Sequence, residues 1–295
     1  MQTKRQIQQL LTSAGITANK RFGQNFLIDL NLMRLLVDSA NISSSDIVLE
    51  VGCGTGSLTE AIAPLAGKTI AVEIDSNLAK IAKRQLPAAG NVTILNTDIL
   101  ENKNTISQTV LKSLQAARKS GRFLLVANLP YNVASAVMIN LITGPITADA
   151  MYVTVQKEVA DRMTATPGSS DYGTLSIFLN AAGDIKTIRT LKPTVFWPQP
   201  QVNSAMVRFV RKEEKANRIK NFKLFSEVVN LFMQHRRKML KTCTKFATAN
   251  LAEISNWPEI FEQCSIDPRQ RPQQLFPENY IAITNLCCEH ITLRS

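Results

Sequence analysis

The stretch Phe123-Leu124-Leu125-Val126-Ala127-Asn128-Leu129-Pro130-Tyr131 decides how this chain folds. Its unbroken apolar run, closed by a polar residue and a proline, reads as a strand buried on both faces, the kind found in parallel sheets. Asn128 to Tyr131 then fall at the strand's carboxyl edge, where open α/β sheets bind ligands. The residue types at that edge suit one chemistry. The exocyclic amine of adenine is a poor nucleophile, because its lone pair is delocalised into the ring. Two acceptors aimed at its hydrogens hold the nitrogen and favour the pyramidal geometry needed for attack. The Asn128 side-chain oxygen and the Leu129 carbonyl can supply them, and Pro130 has no N–H to compete for the position. Tyr131 offers a flat face on which an extruded base can stack. Taken alone, the tetrapeptide also reads as an ordinary strand-to-turn junction stopped by proline.

Upstream motifs narrow the choice. Asp46 to Val51 is a second strand, followed by Gly52-Cys53-Gly54-Thr55-Gly56 and a helix expected over Ser57 to Ala66. A Gly-rich turn between strand and helix lets backbone amides approach a nucleotide-like ligand closely, which marks Gly52, Gly54 and Gly56 as cofactor-binding candidates. The spacing departs from the dinucleotide fingerprint, whose third glycine would stand at Ser57. A strand over Thr69 to Glu73 ends in an acid placed to accept from two ribose hydroxyls. Another, Val92 to Leu95, leads to Asp98, which can accept from an adenine amine. Gly-rich turn, acid, acid, then Asn-x-Pro-Tyr, each at a successive strand end, is the order expected of an S-adenosylmethionine site beside an amine target.

Carrying those motifs, the chain resembles the ribosomal RNA adenine dimethyltransferase family. The similarity extends nearly end to end, through Lys20-Arg21-Phe22-Gly23-Gln24-Asn25-Phe26-Leu27, Glu50-Val51-Gly52, Val72-Glu73-Ile74-Asp75, Asn128 to Asn132, Gln156-Lys157-Glu158-Val159, Tyr172-Gly173 and Arg236-Arg237-Lys238. The resemblance implies a Rossmann-like class I methyltransferase: a seven-stranded, mostly parallel sheet with a small C-terminal helical domain. It implies transfer of methyl groups from S-adenosyl-L-methionine, without metal, to two adjacent adenosines near the 3′ end of small-subunit rRNA. The implied partner is the assembling small ribosomal subunit, met by a monomer in the cytoplasm. By the same resemblance, the stretch from Arg21 to Leu27 closes over the cofactor and carries Asn25 and Leu27 into the site, beside Gly52, Glu73, Asp98 and Asn128. A second aromatic, Phe196, would sandwich the target base against Tyr131, with its neighbour Trp197 as the alternative; packing at a loop base fits both equally. Cys53, Gln201 and Asn203 depart from the family's usual proline, lysine and aspartate, and the segment 102–120 is longer than usual. A large-subunit rRNA methyltransferase, a DNA adenine methyltransferase and an assembly factor without activity are the rival readings.

Composition agrees. The 295 residues, 45% hydrophobic, suffice for a full α/β core and a smaller second domain. No apolar stretch approaches the roughly 20 residues that span a bilayer, and Met1 to Gly15 lacks the apolar core of a signal peptide. Five scattered cysteines form no Cys-x-x-Cys pair, and the two histidines, His235 and His290, lie far from the glycine turn in sequence. The net charge of +11 is segregated: residues 186–245 hold fifteen Lys/Arg against Glu213, Glu214 and Glu227. Such a band suits a polyphosphate partner. Within it Arg236, Arg237, Lys238 and Lys241 are the RNA-binding candidates, although cations at a helix end also complement its dipole. Two domains are expected, 1–212 and 213–295, joined by a charged linker over Arg211 to Lys215. Phe222, Phe225, Val229 and Phe232 recur at helical spacing as a core stripe. The stretch Pro167 to Asp171 reads either as a mobile loop near RNA or as a connection.

Overall fold

A computed structural model describes residues 1–19, 23–86, 90–103, 105–118 and 121–292. Lys20, Arg21 and Phe22, part of the expected cofactor-covering stretch, lie outside the described residues. In chain order the first elements are α1 (Lys4–Ser13), β1 (Phe26–Leu27), α2 (Leu30–Ala40), β2 (Ile47–Val51) and α3 (Ser57–Ile62). Next come β3 (Lys68–Glu73), α4 (Ser76–Gln85), β4 (Val92–Asn96), the hairpin β5 (Leu100–Asn102) and β6 (Thr105–Ile106), and α5 (Gln108–Ala117). The motif strand β7 (Phe123–Asn128) leads to α6 (Ala134–Thr143), β8 (Ala150–Gln156), α7 (Lys157–Thr164) and α8 (Thr174–Ala182). After β9 (Gly183–Leu191), β10 (Phe196–Trp197) and β11 (Ser204–Arg211) the chain is helical: α9 (Glu213–Ala216), α10 (Phe222–Gln234), α11 (Leu240–Cys243), α12 (Trp257–Gln263) and α13 (Pro277–Thr292).

The chain divides into two compact units, residues 1–160 with 186–210, and residues 161–185 with 211–295. The first is organised by the seven-stranded sheet, in the order β4-β3-β2-β7-β8-β11-β9. Strands β4, β3, β2, β7 and β8 run parallel, and β11 pairs antiparallel with β8. The order turns back between β2 and β7: the chain builds outward from β2 to β4 before returning to β2's other side. A crevice therefore opens beyond the carboxyl ends of these two strands. Strands β2 and β7 are buried along nearly their whole length because helices cover both faces; Val48, Leu124 and Val126 are fully buried in a cluster with Met33, Leu36 and Ile62. Helices α2 and α4 start on aspartates, Asp29 and Asp75, whose carboxylates accept the free N–H groups of the first turn.

Two expectations change here. The stretch 211–215 is ordered rather than a linker: after β11 it enters α9, and Lys215 Nζ donates to Asp184 Oδ1 at 2.8 Å and to the Gly183 carbonyl at 3.1 Å. The chain crosses from the first unit to the second after Val210. Residues 161–185, however, group with the C-terminal helices because α8 buries its apolar face there, Phe178 meeting Phe225 edge-on at 5.3 Å. In the same unit Phe225, Val229 and Phe232 of α10 are fully buried, as their spacing predicts. Phe222 is only partly covered, under the Arg211 guanidinium 5.6 Å from its ring centre.

Candidate active site

Beyond β2 the chain turns on Gly52, Cys53 and Gly54, and two glycines there have left-handed φ values, +76° at Gly52 and +57° at Gly54. Both also have no room for a side chain. A Cβ on Gly52 would lie 2.9 Å from Pro130 Cγ, and one on Gly54 2.8 Å from Phe26 Cε1. The turn is thus pressed against the Asn128–Tyr131 motif on one side and, on the other, against the segment 23–28 around β1, the N-terminal strap. Between them lies a cleft open to solvent. Asn25, Gly52, Gly54, Glu73, Asp98, Asn128, Leu129, Pro130 and Tyr131, all expected at the site, line it.

Glu73 ends β3 and is buried. Its Oε2 accepts the Gly54 N–H at 2.8 Å and its Oε1 the Asp75 N–H at 2.9 Å, so the carboxylate is held in position with lone pairs left over. Burial raises its pKa, while those two backbone donors oppose the rise. Asp98 is exposed and takes the Leu100 N–H at 2.9 Å, which turns the chain away from β4 and leaves the acid facing the cleft. Apolar side chains complete the walls, among them Ile74, 45% exposed beside Glu73, and Ile99. Below the turn a third acid, Glu50, is 2% exposed and takes the Thr59 hydroxyl at 2.5 Å; burial pushes its pKa up to about 8.

Asn128 is held from two sides. Its Nδ2 donates to the Asn25 carbonyl at 2.8 Å, and its Oδ1 accepts the Thr154 hydroxyl. The Leu129 N–H donates to the Thr154 carbonyl at 3.1 Å. Tyr131 packs half-buried, its phenol 2.9 Å from Ser204 Oγ, and burial raises its pKa. The strap itself is tied to the cofactor side, because Gln24 Nε2 donates to Asp75 Oδ2 at 3.1 Å.

Three expected residues are placed elsewhere. Phe196 is 2% exposed, packed with Leu27 and Met33, and its backbone pairs β10 with β1 opposite Leu27. Its ring fixes the strap to the body, so it does not face the cleft as a base-stacking partner. Leu27, 5% exposed, lies in the same cluster. Gly56 turns the chain into α3, where a Cβ would touch Ala82 of α4 at 3.4 Å. Trp197 is half-buried and stacks on Phe26, ring centres 6.2 Å apart, one ring removed from the cleft. Thr154 and Ser204 escaped the sequence reading. Their signal is the strand register, Asn128 beside Thr154 and Ser204 beside Gln156, which only the sheet order supplies.

In the second unit α10 ends at Gln234, and Arg236 to Lys238 form the turn after it. The Arg236 guanidinium donates to the carbonyls of Ser170 at 3.0 Å and Tyr172 at 3.3 Å, so it holds the Gly/Ser-rich loop. Arg237, Lys238 and Lys241 are exposed. Lys238 Nζ lies 5.6 Å from the ring centre of Phe246, which stacks on His235 at 4.1 Å. Among the described residues no three His, Cys, Asp or Glu side chains group closely enough to hold a metal ion, and no helix is long and apolar enough to cross a membrane.

The chain matches the family described as ribosomal RNA adenine dimethylase over residues 15–280. A ribosomal RNA small subunit methyltransferase A from Geobacillus sp. (strain WCH70) is 34% identical over 278 residues, covering 94% of each chain. One of the same name from Halothermothrix orenii is 32% identical, covering 94% of this chain and 90% of its own. Among solved structures, a dimethyladenosine transferase from Plasmodium falciparum shares the fold with a TM-score of 0.70 at 23% identity, over 90% of this chain and 98% of that one. A 23S rRNA methyltransferase, ErmE, shares it at 0.59 and 20% identity, over 88% and 98%.

Proposed function

Because the chain belongs to the ribosomal RNA adenine dimethylase family, we propose that it methylates the exocyclic amines of two adjacent adenosines near the 3′ end of small-subunit rRNA. It is an S-adenosylmethionine-dependent rRNA adenine dimethyltransferase. The observation that carries the reading is that Asn128 to Tyr131 open onto the same cleft as the glycine turn, Glu73 and Asp98. An amine target and a nucleoside-bearing cofactor thereby meet at one sheet edge.

The residues fit that cofactor. Gly52 and Gly54 keep the turn bare of side chains, Glu73 presents a fixed carboxylate to ribose hydroxyls, and Asp98 faces the cleft as an acceptor for an adenine amine. When bound, S-adenosylmethionine supplies a methyl group already activated by the sulfonium charge, so no strong base is needed to start the reaction. On the substrate side, Asn128 Oδ1 and the Leu129 carbonyl accept from the amine and stabilise the positive charge that develops on it. Tyr131 stacks the extruded base. The particle that presents the rRNA is the assembling small subunit, gripped in part by exposed Arg237, Lys238 and Lys241.

Mapping methylated adenines in rRNA from cells with and without this protein is the test. Dimethyladenosines at two adjacent small-subunit positions should vanish without it, return with the wild-type chain and stay absent with Asn128→Ala. Loss of a large-subunit adenine modification instead would move the target to the other subunit.

A further inference from the structure

Asn128 and Tyr131 are each held by a hydroxyl from another strand of the sheet. We propose that Thr154 and Ser204 are positioning residues for the methyl transfer, Thr154 fixing the Asn128 amide and Ser204 the Tyr131 ring. The proposal rests on reading Asn128 as the amine acceptor and Tyr131 as the stacking face.

Thr154 is 1% exposed on β8, paired in register with Asn128. The Asn25 carbonyl can only accept, so the amide nitrogen of Asn128 must face it. The amide oxygen then faces Thr154, whose hydroxyl donates to it. That leaves one amide orientation, with a lone pair of Oδ1 free for the substrate amine. A flipped amide would turn N–H groups toward the amine's own N–H groups. Thr154 also accepts the Leu129 N–H through its carbonyl, which fixes the backbone entering the second acceptor.

Ser204 has no exposed surface and sits on β11, with its Oγ 2.9 Å from the Tyr131 phenol oxygen. Holding the far end of the ring limits its tilt, and ring tilt sets how a base lies on it. Flanking strand residues at both places are apolar: Val153 and Val155 beside Thr154, Ala205 and Met206 after Ser204. Packing alone would take Val or Ala there, since a buried hydroxyl must find a partner. The partners found are the two side chains that meet the substrate.

The test uses the full chain, S-adenosylmethionine and small ribosomal subunits from cells lacking the protein. Thr154→Val should lower kcat by roughly three- to tenfold, the worth of one hydrogen bond, with KM and cofactor affinity within about twofold. Thr154→Ser should restore the rate. Ser204→Ala should instead raise KM for the particle by a similar factor at near-normal kcat. Tyr131→Phe should do the same, and the double variant should be no worse than either single one, because each removes the same bond. Thr154→Ser and Tyr131→Phe keep the core shape and carry the test if the others unfold. Unmoved kcat and KM, additive effects of Ser204→Ala and Tyr131→Phe, or equal losses in Thr154→Val and Thr154→Ser would overturn the proposal. No dimethyladenosine from the wild-type chain would overturn the functional reading, and the proposal with it.

Discussion

Glu73 does two jobs at one carboxylate, and the consequences are measurable. It is expected to take ribose hydroxyls, and it already holds the Gly54 and Asp75 amides. Asp98 holds only the Leu100 amide. Glu73→Ala should therefore weaken S-adenosylhomocysteine binding by at least the roughly 1–3 kcal/mol of an unsatisfied polar group, and by more than Asp98→Ala. Calorimetric titration of both variants checks the order. Glu50 makes a different prediction. With its folded pKa raised to about 8 by burial, the native state keeps a proton that the unfolded chain, near 4.5, has already lost. Stability must then fall as pH climbs between those values and level off above. Glu73 shifts in the same direction, so the comparison is with Glu50→Gln, which keeps Glu73. Urea midpoints of the wild type should drop relative to that variant between pH 5 and pH 8. At this scale the sequence spoke clearly where a residue's chemistry is local. Asn128, Glu73 and Asp98 stand at strand ends that hydrophobic runs announce. Phe196 misled because resemblance marks the residue but not where its ring points, and the difference lies in the two-residue pairing with β1.

Short elements carry the site's geometry. Strand β1 pairs with β10, Ile28 N–H donates to the Val195 carbonyl at 2.9 Å, and between them the strap brings the Asn25 carbonyl to Asn128. No periodicity signal survives in two residues, which is why the strap was legible only through resemblance. Strand β8 is apolar like β7, but the motif at its end, Gln156 to Val159, speaks only through resemblance and not to Thr154 within the strand. Helix α1 was unread: its Ile7 and Leu11 are buried against Leu78 and Ile81 of α4, the helix that begins at Asp75. Ile7→Ala should cost about 2–5 kcal/mol if the helix stays docked, less if it detaches. Hydrogen exchange should show α1 losing protection first, with weaker cofactor binding following from the loosened strap.

For the whole molecule, charge distribution decides what salt will do. Arg236 is committed to the loop carbonyls of Ser170 and Tyr172, whereas Arg237, Lys238 and Lys241 face solvent. Replacing each of those three by Ala should flatten the slope of log particle affinity against log salt by about 0.7 to 0.9 per lost phosphate contact, with cofactor affinity unchanged. Arg236→Ala should lower the melting temperature instead and move the slope least. The sequence showed the band of charge but not that residues 161–185 would group with the C-terminal helices, because an apolar helix in mid-chain gives no sign of which unit will bury it. That crossing sets an order in time. The sheet's last strand leaves the ribosome at about residue 211, whereas α8 must wait for α10 and α13, and Tyr172 for the Leu275 carbonyl it donates to at 2.8 Å. At typical synthesis speeds this interval is on the order of ten seconds. During it Leu175 and Phe178 of the newborn chain lack the two helices that α8 packs on, so this apolar helix is the segment that stays uncovered longest.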